Sequence, residues 1–307
     1  MTTNEQSVSK RVLVTGAGGR LGQHVVRDLA AAGWSVTGLI AVGGDPTAIA
    51  DYADHVLAGR ADDVETARLA TAGVDAVVHL AAIPAPMLAA PEIVFGRNTL
   101  ATFCILDAAA AAGASCAVIA SSFSATGLPF SPKGARPQYV PLDEDAPSQA
   151  ADAYALSKTT DEATADMISR RDGMTTTALR FPFLGTPDDR LLEHAEKLRL
   201  NPGKGVGELW SYLDTRDAAD SIAVALRRTG GDSAVINVAA PQTLSPYPTA
   251  QLLDAFMPNV PRRRALAGHD VPIDLSRATQ LLGFTARHLW QQETADLPAF
   301  LETSQEI

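Results

Sequence analysis

The chain passes from a short apolar run, Arg11-Val-Leu-Val-Thr15, directly into Gly16-Ala-Gly-Gly19-Arg20-Leu21-Gly22 and then into a helical pattern that Gly33 ends. Few conformations satisfy so abrupt a passage. Gly16 permits a tight exit from a strand, Gly19 lets a ligand approach the backbone, and Gly22 lets the helix pack closely. The free N–H groups and positive dipole end of the helix then favour phosphate. The turn therefore predicts a parallel α/β sheet whose first crossover begins at a dinucleotide site. Its plainer reading is an ordinary strand-to-helix turn.

The pattern that follows supports the sheet. Apolar, β-branched runs at 35–40, 55–58, 76–80, 117–120 and 175–180 alternate with helical stretches at 21–32, 98–112 and 151–171, the last with Asp152 as its cap. Residues 127–149 are rich in proline and glycine and read as a long loop. Beyond Pro182 the pattern is less regular. A charged helix is expected near 188–200, a helix at 218–228 and a strand at 234–238. The expectation is a Rossmann-type, doubly wound sheet over residues 10–180. Residues 181–307 then complete the sheet and form a smaller substrate lobe.

Of 307 residues, 46% are hydrophobic and 20% charged, the balance of a folded protein rather than a disordered one. A formal net charge of −10 argues against a nucleic-acid partner. Cys104 and Cys116 lie in or beside apolar runs and have no metal-ligand spacing, which suggests buried thiols and a reducing, cytoplasmic setting. The polar start of the chain lacks a signal-peptide core, and the longest apolar run, 108–112, is too short to span a bilayer. No carboxylate and histidine set has metal spacing, and His79 reads as a core histidine within a strand.

The chemistry is expected from Tyr154-Ala-Leu-Ser-Lys158. Residues four apart share a helix face, so the ammonium lies one turn from the phenol. A cation there favours the phenolate and makes tyrosine a usable acid or base near neutrality. Read alone, the pair is also compatible with an amphipathic surface helix.

Taken together, the glycine turn, Leu80-Ala81-Ala82, Asn98, Ser121-Ser122 and Tyr154-x-x-x-Lys158 resemble the extended short-chain dehydrogenase/reductase family, which includes sugar-nucleotide epimerases, dehydratases and uronate dehydrogenases. The resemblance runs over 11–180 and returns at Asp274-Leu-Ser-Arg-Ala278 and Leu282-Gly283-Phe284. It implies Tyr154 as acid/base, Lys158 on the nicotinamide ribose, and a serine that orients the substrate oxygen. Ser121, Ser122 and Ser124 compete for that last role. The family's spacing from Gly127 favours Ser122, and strand alternation sets Ser122 and Ser124 apart from Ser121. Asn98 is read as opening its helix, either bonding backbone to steady the site or capping the helix.

Cofactor contacts are expected from Gly16, Gly19, Arg20, Leu21, Gly22, Ile40, Arg60, Asp62, Leu80, Ala81, Ala82, Asn98, Ser121, Tyr154, Lys158, Phe181 and Pro182. Substrate contacts are expected from Ser122, Ser124, Tyr154, Phe183 and Trp210. Family members that prefer NAD carry an acidic residue where this chain has Ile40 and Ala41. Arg60 stands where an aspartate is usual, with Asp62 behind it. With Arg20 or Arg60 to meet a 2′-phosphate, these departures lean slightly to NADP, although the Gly43-Gly44-Asp45 loop leaves NAD open. Trp210 replaces the arginine that grips a diphosphate in sugar-nucleotide enzymes, which points to a smaller substrate. It has core packing as its equal alternative. Arg262-Arg263-Arg264 reads as a solvated turn more readily than an anion site.

The expected activity is NAD(P)-dependent hydride transfer to or from a secondary alcohol or ketone of a sugar-like molecule. Epimerisation with a retained cofactor is the alternative, and a nicotinamide-sensing regulator is the alternative of another class. The stretch Ser122-Phe-Ser-Ala-Thr-Gly127 disfavours dehydration. The helices at 98–112 and 151–171 suggest a homodimer.

Overall fold

Every run expected as a strand forms one. The computed structural model describes residues 10–291 and 293–298, and the polar segment 1–9 lies outside them. In chain order the strands are β1 (Arg11–Thr15), β2 (Ser35–Ile40), β3 (His55–Ala58), β4 (Ala76–His79), β5 (Cys116–Ser122), β6 (Thr175–Phe181), β7 (Phe183–Gly185), β8 (Tyr212–Asp214) and β9 (Ser233–Asn237). Seven of them form one parallel sheet in the order β3-β2-β1-β4-β5-β6-β9, and β7 pairs with β8 separately. Parallel pairing requires crossovers on the faces, which is why β1, β4 and β6 are buried along almost their whole length.

Helices cover both faces. On one lie α1 (Arg20–Ala31), α6 (Thr215–Ala225) and α8 (Ser276–Leu282), through Val25, Val26, Leu29, Ile222, Ala278 and Leu282. On the other lie α2 (Val64–Thr71), α3 (Pro91–Ala111) and α4 (Ala153–Asp172), through Ala67, Ala70, Ile105, Leu106, Ala165 and Ile168. A third core joins α5 (Leu192–Leu200) and α7 (Thr249–Phe256) to Phe123, Leu128, Val140 and Leu142. It therefore draws on chain from both sides of residue 180. The residues after 180 supply β9 to the sheet, α6 to one of its faces, and α5 and α7 to the third core.

Several expectations need correction. The long helix begins at Pro91, not Asn98; proline suits the first helical turn, whose N–H is unpaired in any case. Asn98 thus lies inside the helix and caps nothing. Helix α2 had no expected counterpart, because its buried face is mostly alanine, and Asp63 caps it by accepting from the Thr66 amide at 2.8 Å. The charged helix at 188–200 divides into a π-turn, Pro187–Leu191, and α5.

Other expectations hold. Asp152 accepts from the amides of Tyr154 and Ala155 at 2.9 and 2.8 Å, fixing the start of α4. The 127–149 segment carries no helix or strand, yet it is not a free flap. Isolated bridges join Val140 to Arg262 and Leu142 to Ile273. Gly127, at φ +81°, starts it where an added Cβ would lie 2.1 Å from the Gln149 carbonyl carbon. Both cysteines are buried and unpaired with each other. By length and composition α3 is apolar enough to cross a bilayer, but it packs between α2 and α4 as a core helix does.

Candidate active site

All seven strands of the sheet point the same way, so their C-terminal ends share one edge, the usual binding edge of such sheets. A cavity of about 1080 Å³ runs along this edge. At one end it is floored by the glycine turn. Gly16 has φ +66°, and an added Cβ would lie 2.9 Å from the Ala81 amide at the end of β4. Gly22 is tighter still: a Cβ would lie 2.2 Å from the Gly16 carbonyl, so this glycine packs the helix onto its own turn more than onto the sheet. Helices α2, α4 and α6 are each capped by an aspartate side chain, whereas α1 has no side-chain cap and no acid in its first turn. The amides there lie beside Arg20, Leu21 and Gly22 on the cavity wall, a cradle suited to a pyrophosphate.

The same wall carries Ile40, Arg60, Leu80, Ala81 and Ala82, then Ser121, Ser122, Ser124, Tyr154, Lys158, Phe181, Pro182 and Phe183. Three expected residues do not line it. Trp210 is wholly buried in the third core, where its ring nitrogen donates to the Pro202 carbonyl at 2.7 Å. Its alternative, core packing, is what the structure shows. Asn98 lies behind the wall; its carboxamide accepts from the Ile83 amide at 2.8 Å and donates to the Ile83 carbonyl at 3.1 Å. It therefore braces the backbone after β4, as the first of its two readings had it. Asp62 is drawn away by Arg60, whose Nε donates to it at 3.0 Å.

The serines separate by their partners. Ser121 donates to Glu162 at 2.6 Å, and Glu162 is held by Arg180 through two bonds of 2.8 Å. All three are buried, so Ser121 is committed to structure. Ser122 Oγ instead accepts the Ser124 amide at 3.1 Å, which leaves its own hydrogen for an oxygen in the cavity. Tyr154 and Lys158 reach the same wall, the ammonium lying 5.8 Å from the phenol ring centroid. Phe130, from the proline-rich loop, meets Tyr154 edge-on at 6.1 Å.

His79 needs no ligand. The Thr15 hydroxyl accepts the Leu80 and Ala81 amides, each at 3.2 Å, and so gives its hydrogen to His79 Nδ1 at 2.8 Å. Burial, aided by the Lys158 charge, pushes the imidazole pKa down to about 3, so the ring is neutral. Among the described residues no group of three or more potential metal ligands exists.

The sequence reading did not pick out Arg190, Glu208 or Met87 on the wall, and it gave Asp45 only as an alternative. Phe183 stacks on His194 at 4.0 Å, His194 bonds Glu208 at 3.1 Å, and the Arg190 guanidinium lies 4.4 Å from the Phe183 ring. For Arg190 and Glu208 the sequence signal is a charge in the irregular stretch after Pro182. Asp45 is closed into a turn by the Thr47 hydroxyl and amide, at 2.6 and 2.9 Å, and those bonds hold its carboxyl pKa below the usual value. Of the three arginines at 262–264, Arg262 pairs with Asp254, Arg263 with Asp143 and Arg264 with Asp270, a paired surface rather than an anion site.

A family model described as "NAD dependent epimerase/dehydratase family" matches residues 12–239. Solved structures share the fold. A short-chain dehydrogenase/reductase superfamily protein from Agrobacterium tumefaciens with bound NAD is 25% identical, covering 92% of this chain and 93% of that one at a TM-score of 0.66. A UDP-galactose 4-epimerase is 23% identical, covering 90% and 93% at 0.65. A mutated uronate dehydrogenase is 19% identical, covering 92% and 82% at 0.65. No curated protein matches this chain.

The Ser121–Glu162–Arg180 network gives a direct test of this architecture. Glu162→Gln leaves the buried Arg180 without its carboxylate, a loss of about 3–5 kcal/mol. The melting temperature should fall on the order of 10 °C in a thermal scan. An unchanged melting point would mean that Arg180 is not paired in this way.

Proposed function

The chain belongs to the NAD-dependent epimerase/dehydratase family, and from that premise we propose that it moves hydride between NAD and a secondary alcohol or ketone carbon of a small, sugar-like molecule. One observation carries the reading: Ser122, Tyr154 and Lys158 meet on the wall that begins at the uncapped, glycine-lined helix terminus. Bound along that wall, a nicotinamide supplies a hydride acceptor or donor. In oxidation Tyr154, as phenolate, takes the substrate hydroxyl proton, and Ser122 donates its hydrogen to the same oxygen to orient it. Lys158 holds the ribose and favours the phenolate by its charge. In reduction the two oxygens exchange roles for the proton. With Trp210 buried, no cation from that position grips a diphosphate, which favours a substrate smaller than a nucleotide sugar.

Replacing Tyr154 by Phe should lower turnover about a hundredfold or more while NADH affinity changes little. The assay screens sugars, uronates and small ketones with NAD. Wild-type turnover in that variant would remove Tyr154 from its role. Conversion of a sugar without net NADH formation would favour epimerisation instead.

The structure also shifts the cofactor balance. Neither arginine that favoured NADP is free: Arg20 pairs with Asp189 at 3.3 Å, and Asp62 holds Arg60. Asp45 lines the cavity beside the glycine turn, its carbonyl oxygen 3.8 Å from where a Gly18 Cβ would lie. A 2′-phosphate would meet a negative charge there, whereas ribose hydroxyls would meet an acceptor. NAD is thus the expected cofactor. Tryptophan-fluorescence titration should show NADH binding at least about tenfold tighter than NADPH, with Asp45→Ala narrowing the gap. Tighter NADPH binding in the wild type would reverse the assignment.

The expected homodimer has a surface to use. Ile93, Leu100 and Phe103 on α3 and Leu156 on α4 are exposed large apolar residues. Pairing the two helices with a second copy would cover them. Sedimentation at micromolar concentration should give a dimer, and Leu100→Arg with Phe103→Glu should give a folded monomer. A monomeric wild type would exclude this interface.

A further inference from the structure

Lys158 has a neighbour that the tyrosine–lysine pair does not require. Asp161 lies one turn further along α4, and its carboxylate is 3.2 Å from the Lys158 ammonium. The lysine and aspartate side chains are only 6% and 2% exposed, so this is a buried ion pair and not a solvated helix face. Its counterweight is close by. Glu162 and Arg180 form the adjoining buried pair, with Ser121 donating to Glu162.

An ammonium has three N–H groups. One goes to the Ala120 carbonyl on β5 at 2.9 Å and one to Asp161, which leaves one for the cavity. We propose that Asp161 is a positioning residue acting through Lys158: it anchors the ammonium from behind, leaves a single donor for ribose and phenol, and moderates by its charge how strongly Lys158 favours the Tyr154 phenolate. The inference rests on the reading of Tyr154 and Lys158 given above, but its coupling is measurable without turnover.

The charge balance supports this. Around the ammonium, α4 supplies Tyr154, Asp161 and Glu162, β6 supplies Arg180, β5 supplies Ser121 and the Ala120 carbonyl, and β4 supplies neutral His79. From α3, the Thr102 hydroxyl faces Asp161. The two cations and two carboxylates cancel. Burial works against the Lys158 ammonium, but Asp161, then Tyr154 and Glu162, outweigh it and leave its pKa above the usual lysine value. Burial likewise raises Asp161, only partly offset by Lys158. Replacing Asp161 by a neutral residue removes the carboxylate that lies 3.2 Å from the Lys158 ammonium.

The experiment is an ultraviolet difference titration of tyrosinate in the full chain, with the Tyr154→Phe spectrum subtracted to isolate Tyr154. Asp161→Asn should move the midpoint down by about one pH unit, the scale of one uncompensated neighbouring charge. Lys158→Met should move it up. Thermal melting and NADH binding report on folding, and Asp161→Ser is the second neutral variant, expected to shift in the same direction. An unmoved or raised midpoint in either folded variant would overturn the proposal. Failure of both neutral variants to fold would assign Asp161 a structural role and overturn it too. Loss of NAD turnover by the wild type on every substrate, with the midpoint shift intact, would instead count against the oxidoreductase reading alone.

Discussion

Parallel strand pairing is the constraint from which the site follows. Because all seven strands run one way, their carboxyl ends gather on a single edge, and groups far apart in sequence meet there without any special device. Thr15 closes β1 and binds the amides that follow β4; Ser122 closes β5; Phe181 closes β6. The crossovers that make such pairing possible also bury α4 on two sides, against the sheet and against α3. Ser157, Lys158, Asp161 and Glu162 on that helix are therefore sealed in, where a polar group without a partner is costly.

That sealing explains the composition of the ground beneath the cavity. Ser121, Glu162 and Arg180 form one linked set, and Lys158, Asp161 and the Ala120 carbonyl form another. Buried charges of this kind add little to stability compared with apolar packing, and they are costly when half of a pair is lost. Their value here lies in direction. A guanidinium fixed by a bidentate carboxylate cannot swing, and an ammonium with two of its three protons engaged has one orientation left. The reactive wall is held by polar networks on α4 and β5, two of the most deeply packed elements of the molecule.

The sheet and the shared face of Tyr154 and Lys158 are legible in the sequence because both have local signatures. Strands β1, β2 and β3 could be bounded to the residue, since β-branched runs stopped at glycine or polar turns. Tyr154 and Lys158 share a face by helical spacing alone. What remained hidden depends on what packs against what. Asn98 looked like a helix start because the true start, Pro91, follows a turn, and an Ala90-to-Pro91 step gives no apolar periodicity. Trp210 looked available for a ligand because nothing local shows which face of a lobe boundary is covered. Asp161 carries no local signal, and only the packing of α3 over α4 makes it buried. Helix α2 escaped because an alanine-lined face of eight residues leaves almost no pattern.

Trp210 is buried, and its burial shapes one end of the cavity wall. It and Leu209 adopt φ of +53° and +51°, a backbone region that side chains other than glycine rarely enter. Such strain, about 1–3 kcal/mol per residue, persists only where surroundings over-determine it. Here the Trp210 amide donates to the Gly205 carbonyl at 2.9 Å, the indole donates to Pro202, and an added Cβ on Gly205 would lie 2.3 Å from the ring. The corner turns the chain so that Glu208, just before it, reaches the cavity wall beside His194, Phe183 and Arg190. That end of the cavity is therefore a preformed polar array backed by its own core, separate from the cores that flank the sheet. Changes confined to that lobe can retune what is recognised while the sheet edge and its buried charges stay as they are.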